Sequence, residues 1–182
     1  RKWGTFLIDL KKPKDELYKN LQRNNARKNI KRAENRGVVV EKIDDNNLID
    51  YFNIRNNYRK TIGQGEANYE RFFYKWKKYN SLGYSGFLAR KDDIPVGGLI
   101  FSYLDGHIIE SGVARTQLDS KENLYSQDLI KWKIIEWGVE NKMNYYDLAG
   151  ANPVPVSKKE NGILRYKKKW GGIKYNYHLI RN

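Results

Sequence analysis

Apolar residues along the chain recur at two spacings, one typical of β-strands and one typical of α-helices. Thr5–Leu10 is a short, mostly apolar run and predicts an opening strand. Pro13, which suits the first turn of a helix, follows it, and Leu17 and Leu21 then recur at helical spacing. Turn-forming residues separate similar runs along the rest of the chain, so the whole sequence divides into strands and helices.

The pattern predicts the following elements. The strand patterns lie at 5–10, 38–42, 85–90, 95–104, 107–114, 144–148 and 173–180. The helical patterns lie at about 13–23, 26–36, 48–62, 70–79, 121–141 and 160–169. Asn24 and Asn25 are expected to separate the first two helices. Asp119 or Ser120 is the expected N-cap of the long helix at 121–141.

The order of these elements predicts the fold class. The strands between 85 and 114 follow one another through short turns, which indicates antiparallel hairpins, and a helix then crosses over to the next strand. The chain is therefore expected to be an α/β protein with a mixed, mostly antiparallel sheet flanked by helices. This order resembles the GNAT acyltransferase fold with an added helix pair. No repeat, linker or low-complexity tract divides residues 1–182, so a single GNAT-like domain is expected.

The charge of the chain favours an anionic partner. It carries 35 Lys and Arg residues against 21 Asp and Glu residues, a formal net charge of +14. The basic residues cluster at 19–36, 71–78 and 158–174, which favours contact with RNA, a nucleotide or an acidic membrane face. A solvated basic surface is the alternative that composition leaves open.

Several kinds of site are excluded by what the sequence lacks. There are no cysteines, which excludes a thiol nucleophile and a Cys-ligated zinc ion. The two histidines, His107 and His178, stand far apart in strand patterns and are interpreted as structural, so no metal site is expected. No run approaches the roughly 20 apolar residues of a membrane span. No signal-peptide pattern opens the chain, so a cytoplasmic protein is expected.

Candidate chemistry concentrates between Tyr145 and Tyr175. This stretch begins as a short strand that ends at Asp147, continues through a glycine turn with two prolines, and leads into a basic, aromatic helix. Asp147 and Asn152 follow the strand, where α/β sheets commonly keep their functional groups. Asp147 is a candidate proton acceptor, and the alternative is a turn or cap former, which is as common for Asp at a strand end.

The segment before the long helix bears on the acyl donor. GNAT enzymes that use coenzyme A hold its pyrophosphate on a glycine-rich turn at the start of the corresponding helix. Here that segment, 114–127, contains no glycine and places Asp119 and Glu122 where the phosphates would lie. These carboxylates argue against coenzyme A because they would repel a pyrophosphate.

Three stretches together resemble the Fem family of aminoacyl-tRNA-dependent transferases, which build peptidoglycan cross-bridges. TFLIDL followed by ARKNIKRAENRGVVVE is similar to the family's strand and basic helix. LIKWKIIEWGVENKMNYYDLAGAN is similar to its next helix, strand and glycine turn, and GILRYKKKWGG to its Gly-Ile…Phe-Lys…Phe-Gly-Gly ending. The match covers only the second of the family's two GNAT-like subdomains, so the resemblance implies the C-terminal lobe of a two-lobed transferase.

The resemblance also implies roles for particular residues. The family's Phe-Lys pair falls on Tyr166 and Lys167, which implies that Lys167 stabilises the oxyanion of the transition state. Tyr166, which departs from the family's Phe, would stack on the terminal adenine or shape the channel. Arg165 and Asn152 are further candidates for substrate contact, and for Asn152 the alternative is that its side chain binds backbone. The alternative for Lys167 is a solvent-exposed lysine among three neighbours.

The basic helix at 26–36 supplies the remaining candidates. Arg27 and Arg32 lie on its outer faces and are expected to contact the tRNA backbone. The alternative, with equal weight, is a solvated face that binds nothing.

The function that the resemblance implies is aminoacyl transfer. An amino acid would move from aminoacyl-tRNA to an amine of a nucleotide-linked or lipid-linked peptidoglycan precursor, without a metal or other cofactor. Contact with the anionic inner membrane face is a further expectation. Two alternatives stay open, an acyl-coenzyme A-dependent GNAT N-acyltransferase and a non-catalytic lobe that binds tRNA or another anion.

Overall fold

The structure is a computed structural model, and it describes residues 2–178. The strands are β1 (Lys2–Asp9), β2 (Val38–Lys42), β3 (Tyr84–Lys91), β4 (Ile94–Leu104), β5 (His107–Arg115), β6 (Tyr145–Asp147) and β7 (Ile173–His178). The helices are α1 (Lys14–Asn20), α2 (Lys28–Asn35), α3 (Leu48–Thr61), α4 (Tyr69–Asn80), α5 (Gln117–Lys121), α6 (Ser126–Glu140) and α7 (Lys158–Lys168).

Hydrogen bonds order the strands as β2-β3-β4-β5-β6-β1-β7. The β2–β3, β3–β4, β1–β6 and β1–β7 pairs are antiparallel, and β5 and β6 are parallel. The predicted fold class, a mixed and mostly antiparallel sheet with flanking helices, is therefore confirmed. The chain groups into two compact units. The first takes in the described residues up to Lys28, Asp105–Ile109 and those from Ile135 onwards, and the second takes in Asn29–Leu104 and Glu110–Ile134.

In the first unit, β1 lies between β6 and β7 and supplies much of the core. Phe6, Ile8 and Leu10 alternate along the chain and are all buried, as expected for one face of a strand. Residues 7–9 pair with β6 in a register that sets Leu7 opposite Asp147. The strand that was predicted to end at Asp147 does end there, and it lies between β5 and β1 in the sheet.

In the second unit, α3 and α4 pack against β3 and β4. The buried cluster between them consists of Ile43, Leu48, Tyr51, Ile54, Trp76, Leu88, Ile100 and Ala114. The Tyr51 ring lies so close to Gly98 and Gly112 that a Cβ atom at either glycine would clash with it. The Tyr51 hydroxyl donates to the Gly112 carbonyl at 3.1 Å, and burial raises the pKa of Tyr51 far above its usual range. The Tyr51 ring thus anchors α3 on the sheet.

The long helix begins later than the sequence predicted. One helix was expected over 121–141, but the chain forms the short α5 and then starts α6 at Ser126. Asn123 and Tyr125 have φ angles of 52° and 57°, and this left-handed backbone separates α5 from α6. The apolar spacing alone carried no sign of the interruption.

The predicted N-cap of that helix was wrong in its geometry. Thr116 caps α5 by accepting from the Asp119 backbone N–H at 3.2 Å. Asp119 is itself buried, and its carboxylate accepts from the Ser126 backbone N–H at 2.9 Å. A carboxylate from α5 therefore occupies the first turn of α6, where the helix dipole favours negative charge.

Two smaller differences concern the ends of elements. Asn24 and Asn25 were expected to separate two helices, but they lie in a π-helical turn, Arg23–Arg27, that leads directly into α2. The last predicted strand ran to Ile180. Leu179 and Ile180 lie outside the described residues.

Candidate functional site

The side chain of Lys167 is fixed by the loop that follows β6. Lys167 lies on α7, and its Nζ donates to the Ala149 and Gly150 carbonyls, each at 2.8 Å. The side chain is partly buried, so these carbonyls replace part of the water around the ammonium group. Lys167 therefore holds a defined position. The alternative, a lysine free in solvent, does not describe it.

Asp147 shapes the loop that holds Lys167. Its Oδ1 accepts from the Ala149 backbone N–H at 2.7 Å and from the buried hydroxyl of Thr5. Ala149 has a φ of 61°, a backbone conformation that L-residues rarely adopt and that this Asp-centred turn holds in place. Oδ1 of Asp147 thus holds the turn, and within the described residues Oδ2 makes no hydrogen bond.

The far end of the same loop is tied to β1. Gly4 and Ala151 exchange backbone hydrogen bonds of 2.9 and 2.7 Å. Gly150, the residue before Ala151, packs directly against the Trp3 indole, where a Cβ atom would clash. Both carbonyls that bind Lys167 thus belong to a loop fixed at its two ends.

Asn152 connects this loop to the start of α7. Its Oδ1 accepts from Val154 N at 3.1 Å, and its Nδ2 donates to Glu160 at 3.2 Å. Glu160 also accepts from Val156 N at 2.7 Å, and Ser157 caps α7 by accepting from Glu160 N at 3.1 Å. The structure places Asn152 in a structural network, and substrate contact by this residue stays a prediction.

Tyr166 and Arg165 differ in how tightly they are held. Lys169 is 4% exposed, and its Nζ lies 4.2 Å from the centroid of the Tyr166 ring. The Trp170 ring meets the Tyr166 ring edge-on at 6.4 Å, which fixes the ring from a second side. Arg165 is exposed on α7. The structure thus fixes Tyr166 beside Lys167 in the chain and leaves Arg165 at the surface.

The two arginines predicted to contact tRNA have different surroundings in the protein. Arg32 donates to the Tyr125 hydroxyl at 3.2 Å, and its guanidinium lies 5.6 Å from the ring centroid. Arg36 lies 5.5 Å from the same ring and donates to the Glu122 carbonyl at 3.0 Å. Arg27 Nε is buried and has no hydrogen-bond partner among the described residues. Contact of Arg27 and Arg32 with RNA stays a prediction.

The second unit also contains a cavity that the sequence did not predict. It measures about 820 Å³ and lies between α3, α4 and the start of β3. Its lining includes four cations and four aromatic rings: Arg55, Arg59, Arg71, Lys75, Phe72, Trp76, Tyr79 and Tyr84. The signal that pointed towards it was the cluster of basic and aromatic residues at 71–78.

A smaller cavity of about 620 Å³ lies beside α3 and the turn after β5, and Arg115, Thr116 and Lys121 are among its lining residues. Asp119 is not part of that lining, because its carboxylate is directed at Ser126 N.

Across residues 2–178, no cluster of three or more His, Cys, Asp or Glu side chains has a geometry suited to a metal ion. None of the helices described here combines the length and the apolar character that crossing a membrane requires.

Comparison with known proteins identifies the fold. No protein-family model matches the sequence. No curated protein matches it either. The structure resembles FemX with a TM-score of 0.80 at 14% identity, over 95% of this chain and 59% of that one.

Two further solved structures are similar. The C-terminal domain of a putative lysylphosphatidylglycerol synthetase from Agrobacterium fabrum has a TM-score of 0.64 at 12% identity, covering 97% of this chain and 59% of that one. An aminoglycoside acetyltransferase from an uncultured soil metagenomic sample has a TM-score of 0.59 at 13% identity, covering 80% and 97%. The chain thus has a GNAT-like fold of the kind seen in FemX, and it spans about 59% of the length of the FemX chain.

Proposed function

We propose that this chain is the aminoacyl-transferring lobe of a two-lobed enzyme, which moves an amino acid from aminoacyl-tRNA to an amine of a peptidoglycan precursor. The observation that carries the proposal is the ammonium group of Lys167, held by two loop carbonyls in a fold shared with FemX. The sequence resemblance to the Fem family supplies the donor and acceptor classes. The precursor would be nucleotide-linked or lipid-linked, and a lipid-linked one would bring the protein to the inner membrane face.

The chemistry requires a fixed positive charge. When the acceptor amine attacks the ester carbonyl, an N–C bond forms and the carbonyl oxygen becomes negative, and a nearby ammonium group stabilises that oxyanion. Lys167 supplies this charge without reorganisation, because the Ala149 and Gly150 carbonyls already orient it. Tyr166, held by Lys169 and Trp170, offers a ring face to the terminal base of the donor.

Proton transfer completes the reaction. In the proposal, Asp147 Oδ2 takes the proton that the attacking amine loses, because Oδ1 is already committed to the turn. The C–O bond to the ribose then breaks, and the departing ribose oxygen takes that proton from Asp147. Atoms and charges balance without a metal ion or redox cofactor.

A matched pair of lysine variants tests the role of Lys167. Lys167→Met keeps the length of the side chain and removes its charge, and we expect kcat to fall about 100-fold with little change in KM. Lys168→Met is the control, because Lys168 is the exposed neighbour on the same helix. The proposal would be contradicted if Lys167→Met had the same unfolding temperature as the native protein and transferred at the native rate.

The alternative is a coenzyme A-dependent N-acyltransferase, which is favoured by the likeness to the aminoglycoside acetyltransferase. Against it, the first turn of α6 already holds the buried carboxylate of Asp119. Titration calorimetry with acetyl-coenzyme A separates the two candidates. Saturable binding of acetyl-coenzyme A to the folded protein would favour the alternative. The absence of such binding would support aminoacyl-tRNA as the donor.

A further inference from the structure

The cavity between α3 and α4 combines uncompensated positive charge with aromatic surface. Arg71 and Lys75 are exposed and form no salt bridge with any carboxylate among residues 2–178. Of the described residues that line the cavity, Glu66 is the only acid, and it pairs with Lys60. The lining therefore carries a net positive charge that the described protein does not neutralise.

Helical geometry explains how the charges and rings come to share one wall. Arg71, Lys75 and Tyr79 are spaced four residues apart, so they form one stripe along α4. Phe72 and Trp76 form the next stripe, and Trp76 is buried in the core of the unit. The sequence of α4 thus packs one stripe of rings at the base of the cavity lining and leaves the adjacent stripe exposed.

The opposite wall of the cavity comes from α3 and adds two arginines. The Arg55 guanidinium lies 5.5 Å from the Phe72 ring centroid, and Arg59 Nε donates to the Gly65 carbonyl at 3.0 Å. These contacts restrain the two guanidinium groups, and both arginines line the cavity. Guanidinium groups bind phosphate oxygens in a bidentate manner, which makes this wall suited to a phosphorylated ligand.

Exposed rings continue the surface beyond the cavity. Tyr79 is 45% exposed at the cavity rim, and Tyr74, which lies next to Arg71 and Lys78 on α4, is 68% exposed. Lys78 lies beside them with its Nζ 5.7 Å from the Tyr79 ring centroid. A surface of interleaved cations and exposed rings fits a chain of nucleotides better than a single small anion.

We propose that this surface, formed by Arg55, Arg59, Arg71, Lys75, Tyr74 and Tyr79 and called the α4 surface below, binds single-stranded RNA. Its cations contact the phosphates, and its tyrosine rings stack on unpaired bases. That the RNA is the unpaired end or a loop of the donor tRNA rests on the proposed function, whereas RNA binding itself does not. A lipid surface fits less well, because the site is concave and arginine-rich.

Fluorescence anisotropy with a labelled 12-nucleotide single-stranded RNA tests the α4 surface over a range of salt concentrations. The variant Arg71→Gln/Lys75→Gln removes two exposed charges from the cavity. The control Lys42→Gln/Lys142→Gln removes two exposed charges from positions that do not line it, so both variants have the same net charge. Thermal unfolding of all three proteins establishes that each is folded.

The α4 variant is expected to bind the RNA about tenfold more weakly than the native protein at low salt. The slope of log K against log salt should become shallower by about 1.4, because two phosphate contacts are lost from a single strand. The control should keep the native affinity and slope. Tyr79→Leu should weaken binding about fivefold without changing the slope, because it removes a stacking surface and no charge.

Other results would overturn the proposal. Equal weakening in the variant and the control would mean that net charge alone attracts the RNA. No binding of the RNA by the native protein at low salt, or binding only to vesicles of anionic phospholipid, would exclude an RNA site. A native protein that binds RNA through the α4 surface but transfers only from acetyl-coenzyme A would leave this site standing and remove the proposed function.

Discussion

Lys167 and Arg71 are both cations on basic, aromatic helices, but the protein surrounds them differently. Two backbone carbonyls bind the Lys167 ammonium group, and Asp147 in turn holds the loop that carries them. Arg71 is exposed at a cavity and has no ion-pair partner within residues 2–178. A charge held in advance suits the stabilisation of an oxyanion, whereas a charge left open suits a ligand that brings its own phosphates.

The arginines near Tyr125 show a third use of positive charge. Arg32 and Arg36 lie over one tyrosine ring and donate to neighbouring oxygen atoms, so their charges brace the loop before α6. Basic composition is similar in α2 and α4, yet only α4 presents its cations beside exposed rings. The number of basic residues in a helix therefore does not identify a binding surface. What distinguishes such a surface is whether its cations already have partners within the protein.

The largest effect on transfer that we expect from a change in the loop that holds Lys167 comes from Asp147→Asn. The Asn side chain retains an oxygen that accepts from Ala149 N, so the free energy of unfolding should change by less than about 1 kcal/mol. Transfer should fall at least about 100-fold, because the amide no longer accepts a proton. Steady-state kinetics and urea denaturation on the same samples measure both quantities.

Asp147→Ala provides the comparison for that variant. It also removes the acceptor for Ala149 N and Thr5, so the free energy of unfolding should fall by roughly 1–3 kcal/mol. If Asp147→Asn transferred at the native rate, Asp147 would serve only to hold the loop, and its role as proton acceptor would be wrong.

A smaller effect is expected from Arg36→Gln, which tests the contrast between α2 and α4. The variant loses hydrogen bonds to the Glu122 and Asn123 carbonyls, so the free energy of unfolding should fall by about 1 kcal/mol. Its affinity for the 12-nucleotide RNA should stay within about twofold of the native value, because each exposed phosphate contact at α4 is intact. An RNA affinity as low as that of Arg71→Gln/Lys75→Gln would make α2 part of the RNA surface.

The fold could be predicted because its signals are local. Apolar runs bounded by turn residues located each strand, and the order of strands and helices was enough to identify the GNAT-like arrangement. The break between α5 and α6 was missed because it depends on the buried carboxylate of Asp119 reaching Ser126 N. Burial of a charged residue results from tertiary packing, and no local spacing reports it.

The candidate site shows the same limit among three adjacent lysines. In the sequence, Lys167, Lys168 and Lys169 are equivalent, and only the family resemblance distinguished the first. In the structure, Lys167 bonds to loop carbonyls, Lys168 is exposed, and Lys169 is buried against Tyr166. These environments come from contacts with distant parts of the chain, which a pattern of residues along one helix does not contain.

The measurement that tests the central claim most directly is transfer from a radiolabelled pool of aminoacyl-tRNAs, run in parallel with labelled acetyl-coenzyme A. The acceptor is a nucleotide-linked peptidoglycan precursor, and Lys167→Met is the control. We expect label to move from aminoacyl-tRNA to the precursor with the native protein and about 100-fold more slowly with the variant, and we expect no transfer from acetyl-coenzyme A. Transfer from acetyl-coenzyme A with none from aminoacyl-tRNA would contradict the account.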